Sequence, residues 1–89
     1  MKKAEAISIL KQCKFHLENV EFLYMMLSRM KSDCKFFLGW GNRDPQHLWA
    51  GDVSMHINIM RALYEVLPAK PEWLTEEQLN DFAAKMCVK

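Results

Sequence analysis

The chain has 89 residues, 51% of them apolar, and a net charge of +1, which bounds it to one small domain with a radius of gyration of roughly 12 Å. So even a balance argues against a dedicated nucleic-acid clamp, which needs several uncompensated cations on one surface, and no stretch approaches the ~20 apolar residues of a membrane span. Three cysteines without a CxxC spacing signal neither a disulfide framework nor a zinc site and fit a reduced, cytoplasmic setting.

The charge is uneven along the chain. Residues 1–43 carry eight basic and four acidic groups and residues 44–89 four basic and seven acidic, so the halves are +4 and −3. Oppositely charged helices lying side by side account for this most simply. A basic face for an acidic partner is the alternative. Lys2 and Lys3 precede no uninterrupted apolar run of the kind a signal peptide needs.

Taken in order, the first element expected is a helix over residues 3–31. Ala6, Leu10, Cys13, Leu17, Val20, Tyr24 and Leu27 alternate spacings of four and three on one stripe. Phe15, Phe22, Met26 and Met30 widen the apolar arc beyond a two-stranded seam, so more than one neighbour must cover it. At 1.5 Å per residue this helix would span roughly 43 Å, longer than a domain of this size is wide. It must bend, protrude or be shared with a second molecule, and a homodimer through this helix is one solution.

Ser32 or Asp33 then caps a short turn over 33–38, which Gly39 and Gly41 would end in left-handed conformations. A loop over 39–44 leads to Asp44-Pro45, a cap followed by a residue pre-set for the first helical position, and a short turn over 45–50. Asp52 caps a helix over 53–66 with the stripe Val53, His56, Met60, Leu63 and Leu67, stopped by Pro68 and Pro71. Thr75 and Gln78 form a capping box, with Leu74 and Leu79 as its hydrophobic staple, for a last helix over 76–87 whose inward face is Leu79, Phe82, Ala83 and Met86. Trp73 can cover the end of the core. No strand-like alternation or repeat occurs, so the expected fold is an all-α, three-helix single domain with a long first helix and a Gly/aromatic-rich connection.

That connection holds the candidate partner-binding residues Phe36, Phe37, Trp40, Asn42, Arg43, His47 and Trp49. Aromatics interleaved with a basic fork could stack on bases or hold a peptide. The structural reading is that Phe36 and Phe37 plug the bundle end while Asn42 and Arg43 bond helix-end carbonyls. Trp40, between glycines, is the ring least expected to be wholly buried. Gly39-Trp40-Gly41 lacks the strand, spacing and Lys-Ser/Thr pair of a phosphate loop. His16, His47 and His56 never fall four apart on one helix, so neither a metal nor a cofactor is expected. His56 reads as a satisfied core histidine, His47 as an exposed contact and Cys34 as a small buried hydrophobe.

The string Cys34, Phe36, Phe37, Leu38, Gly39, Gly41, Asn42 and Arg43, then Leu48, Trp49, Ala50 and Gly51, and finally Leu67, Pro68, Pro71, Glu72, Trp73, Leu74 and Thr75 resembles one of the small "large polyvalent protein associated" domains. The resemblance covers roughly residues 33–86. These modules are attached to long polyproteins of conjugative elements and phages, so the resemblance implies a mobile-element origin and an accessory role, with no established activity. The family pattern usually has tyrosines where Phe36 and Phe37 stand, and the loss of those hydroxyls weakens any hydrogen-bonding role for that pair. The expected function is a non-catalytic module that binds a protein partner and, through the first helix, a second copy of itself. The alternative is a small nucleic-acid-binding accessory that uses Lys11, Lys14, Arg29, Lys31, Lys35 and Arg43 with Trp40 as a stacking group.

Overall fold

The computed structural model describes residues 1–86, which form four α-helices and one 3-10 turn. α1 spans Lys3–Gln12, α2 Val20–Leu38, α3 Val53–Val66 and α4 Glu76–Lys85, and the 3-10 turn is Pro45–His47. The all-α class is the one expected, with four helices in place of three. The radius of gyration is 12.2 Å.

The difference lies in the first helix, which is not continuous over 3–31. The Phe15 amide donates to the Leu10 carbonyl and the Lys14 amide to the Lys11 carbonyl, both at 3.0 Å, while Lys14 takes φ 63. This pair of bonds closes a helix end around one left-handed residue, a position that glycine usually holds. Phase explains the break. α1 buries Ala6 and Leu10, whereas α2 buries Leu23, Met26, Leu27, Met30, Cys34 and Phe37. On one straight helix at 3.6 residues per turn these two sets would lie roughly a third of a turn apart. Such a helix would also overrun a molecule whose longest extent is 35 Å. The chain bends instead, and Phe15 turns inward against Phe22 and Trp49, with ring centroids 5.9 and 5.5 Å away.

α2 opens with the Asn19 side chain accepting the Phe22 amide at 3.1 Å. It runs straight through the segment expected as a separate turn over 33–38, because Cys34 and Phe37 prolong the stripe of Leu27 and Met30 at spacings of four and three. Asp33 therefore caps nothing at its own position. Its carboxylate accepts the Trp49 amide at 2.9 Å and ties the later loop to α2.

α3 is the helix that the other three touch, while α1 packs on α3 and only slightly elsewhere. The helix at the centre of the bundle is thus α3 and not the first. Its buried residues, His56, Ile57, Ile59, Met60, Ala62 and Leu63, occupy more than the single stripe the sequence suggests, as a helix with three neighbours requires. Gly51 enters it at φ 71 and the Asp52 carboxylate accepts the Ser54 amide at 3.1 Å.

Between α3 and α4 the connection is pinned back to α2. The Tyr24 hydroxyl donates to the Ala69 carbonyl at 2.5 Å, and the Lys31 ammonium donates to the Trp73 carbonyl. The expected capping box opens α4, with Gln78 N donating to Thr75 Oγ1 at 3.1 Å and Thr75 N to Gln78 Oε1 at 3.0 Å. α4 ends at Lys85 with Met86 as its cap, and the expected continuation to 87 lies outside the described residues. No helix among the described residues is long and apolar enough to cross a membrane.

Candidate functional site

The C-terminal end of α2 leaves carbonyls without intrahelical partners. Loop amides take them up in succession: Gly39 N donates to Lys35 O at 3.0 Å, Gly41 N to Phe36 O at 2.7 Å and Arg43 N to Phe37 O at 2.9 Å. Gly41 is buried in this turn, where a Cβ would stand 2.9 Å from the Phe36 carbonyl oxygen and 3.1 Å from both the Phe36 and His47 rings. The left-handed conformations expected at Gly39 and Gly41 fall instead on Asn42 (φ 52) and Arg43 (φ 59). Space, not φ, is what position 41 demands. Arg43 holds its conformation through a long reach, its guanidinium donating to the Lys85 carbonyl at the end of α4 at 2.8 Å.

Beyond it the Asp44 carboxylate accepts the Gln46 amide at 3.0 Å and starts the 3-10 turn. The turn expected over 45–50 contracts to Pro45–His47, because Leu48 is buried and extended while the Trp49 amide is drawn to Asp33.

Five elements of sequence thereby converge on one corner, yet the seven candidate residues do not share one fate. Phe37 is a core residue, 3% exposed. Phe36 is half-exposed and meets the His47 ring edge-on, with centroids 5.0 Å apart. Trp49 leans on Phe15 and keeps part of its surface in solvent. Asn42, Arg43 and His47 are exposed. Trp40 projects furthest, with 88% of its surface accessible. An indole so exposed rests on a turn in which every amide bond just named fixes the backbone.

The ionisable groups of the core behave differently. His56 is wholly buried and its Nε2–H donates to the Met30 carbonyl at 3.0 Å, while Nδ1 has no partner among the described residues. The expected core histidine is thus satisfied at one nitrogen only. Burial lowers its pKa, against weaker opposing effects of the Met30 carbonyl and Asp33, which favours the neutral ring. Cys34 is also fully buried, 3.5 Å from Met60 Sδ, and burial, with help from the Asp33 charge, pushes its thiol up to about 12. A thiol held protonated to that degree is a packing group, not a nucleophile.

A shallow cleft of about 500 Å³ opens between the starts of α1 and α4 and the side of α3, with Glu5, Arg61, Tyr64, Glu65, Lys70 and Glu76 on its walls. Nothing in the sequence marks it, because its residues come from separate elements at no regular spacing. Its cations are engaged internally: Arg61 donates to Asn80 Oδ1 at 3.4 Å, and Lys70 to the Tyr64 and Glu65 carbonyls. Among the described residues the one ion pair between permanently charged side chains is Lys85–Asp81, and the His16 ring lies 3.6 Å from Glu18; both contacts are local, so none joins the basic and acidic halves of the chain.

Residues 20–86 match the family described as large polyvalent protein-associated domain 11. The chain belongs to that family. The match begins at the first residue of α2 and takes in α3, α4 and the whole aromatic corner, so it reaches further back than the 33–86 over which the residue string shows the resemblance. α1 and the bend over 13–19 lie outside it. No curated protein and no solved structure matches the chain. Membership in the large polyvalent protein-associated domain 11 family is consistent with an accessory module of mobile elements.

Proposed function

We propose that this domain is a non-catalytic accessory module that anchors a protein partner at the Trp40 corner and joins a second copy of itself through its first helix. The exposure of Trp40 on a hydrogen-bonded turn carries the reading. A large ring left in water beside such a turn is a candidate anchor, and rings of this kind dominate the energetics of protein interfaces. The edge-to-face pair of Phe36 and His47 on the same corner supplies further exposed aromatic surface, and the partner suited to them presents an apolar pocket of indole size with a polar margin.

The test is a photoreactive residue placed at position 36 or at Asn58 of the full chain, expressed in its own host with and without Trp40→Ala. A discrete cross-linked partner from position 36, absent from position 58 and lost with Trp40→Ala, is expected. Equal cross-linking from both positions, or a product indifferent to Trp40, overturns the assignment of the corner.

Nucleic acid is the alternative partner, favoured by the basic half forming no ion pair with the acidic half among the described residues. Two of its six proposed cations already serve the fold, Arg43 at the end of α4 and Lys31 at the Trp73 carbonyl. Binding to single-stranded DNA that falls steeply between about 50 and 200 mM salt would favour this reading over a protein partner.

A further inference from the structure

The sequence and the fold disagree most sharply at residues 13–19. This segment, Cys-Lys-Phe-His-Leu-Glu-Asn, has neither glycine nor proline, and the apolar spacing of a helix runs through it without interruption. The bend nevertheless sits there, closed around Lys14 at φ 63, a left-handed residue with a Cβ where glycine is the usual choice. Three further observations bear on what the bend is for. α1 rests on α3 and scarcely on anything else. The family match begins at Val20, so α1 lies outside the matched segment. In the bent chain Cys13 and Leu17 stay partly exposed and Val20 exposed, although on a straight helix they fall on one line with Ala6 and Leu10.

We propose that α1 is exchangeable: the 13–19 bend straightens, α1 leaves its own α3, and it docks on the α3 of a second copy of this chain while receiving that copy's α1 in return. This specifies how the second copy in the proposed function is joined and rests on that part of the reading. It is independent of the Trp40 corner.

The geometry supplies the reason for reciprocity. Straightened, residues 3–38 would make one helix of roughly 54 Å, which cannot fold back on a molecule 35 Å long. Its Ala6 and Leu10 face would point about a third of a turn away from the α2 face that stays in the core, outward from its own domain. The surface able to cover it is the α3 flank that α1 has just vacated, which the second copy offers equally. Every α1–α3 contact of the monomer is then remade between copies, and the Cys13, Leu17 and Val20 line gains cover. A short hinge under strain is the feature that favours such exchange. The inward contacts of Phe15 with Phe22 and Trp49 act as the latch on the bent form.

Lys14 is exposed, so it can be changed without touching the core. Lys14→Gly relieves the left-handed residue of the bend and weakens the straight helix, whereas Lys14→Ala leaves the bend strained and favours the helix. The measurement is light scattering on the full chain from 10 µM to 1 mM after equilibration, followed by isotope-filtered NMR on an equal mixture of labelled and unlabelled protein.

The expected result is a slowly exchanging dimer whose association constant is lower for Lys14→Gly than for Lys14→Ala by about a hundredfold, a factor of ten for each of two hinges. Cross-peaks between Ile9 or Leu10 methyls of one copy and α3 methyls of the other accompany it. A dimer with equal constants for both variants, or without those cross-peaks, overturns helix exchange and leaves the homodimer standing. A monomer at 1 mM in both the natural chain and Lys14→Ala overturns both.

Discussion

Gly41 illustrates how narrowly a single position can be specified. A Cβ there would collide with the Phe36 carbonyl oxygen, a backbone atom that the Gly41 amide itself bonds, and with two rings that are already edge to face. Gly41→Ala should destabilise the fold by about 1–3 kcal/mol through overpacking, as read from urea denaturation. Gly39→Ala, whose Cβ would meet its nearest atom at 3.3 Å, should cost less. His56 makes a second residue-level case. Its folded pKa is lowered by burial, so below the ordinary histidine value of about 6.5 the unfolded chain binds a proton that the folded chain refuses. The contribution is fully present above that value and is lost as pH falls through the window beneath it. The urea midpoint should therefore drop between pH 7.5 and 5.5, and His56→Phe should remove that drop. An unchanged slope in the variant would assign the effect to another group.

The helices show why some boundaries can be read from residues and others cannot. α3 and α4 begin where Asp52 and Thr75 stand because a side-chain cap is a local device, complete within a few residues. The bend at 13–19 has no such local cause. Each of its residues tolerates a helix, and it arises only because α1 and α2 bury different faces against α3 and because Phe15 finds Phe22 and Trp49, partners seven and thirty-four positions away. The same holds for Asp33, which reads as a cap and in fact receives the Trp49 amide across sixteen residues. The aromatic corner could be picked out from its glycines and rings. The exposure of Trp40 follows from its place between glycines, but the split of the neighbouring pair into an exposed Phe36 and a buried Phe37 could not be read, since that depends on which side of α2 faces the core. Asp33→Ala should cost about 1 kcal/mol and, more tellingly, should speed hydrogen exchange at the Trp49 amide while leaving α4 amides unchanged. Equal acceleration in both places would mean that Asp33 stabilises the whole fold and not this one link.

Stability should be distributed as unevenly as the contacts are. Leu10 on α1 and Leu63 on α3 are alike in chemistry and both are wholly buried. Their surroundings differ, because α3 is shared by every other helix and α1 packs chiefly on α3. Truncating Leu63 opens a void at the junction of the bundle, and Leu63→Ala should cost about 3–5 kcal/mol with loss of protection throughout. Leu10→Ala removes one of only two buried anchors on a ten-residue helix that has no side-chain cap at its start. A helix so short is marginal without its docking surface. Its undocking costs the chain α1 but leaves the α2–α4 unit, the part that the family match spans, with its own core of Met26, Leu27, Met30, Met60, Leu63 and Leu79. Native-state hydrogen exchange on Leu10→Ala should accordingly show α1 amides unprotected while those of α3 keep most of their protection. Collapse of protection in α2 and α4 together with α1 would mean that the added helix is integral to the fold, and that the domain does not end at Val20.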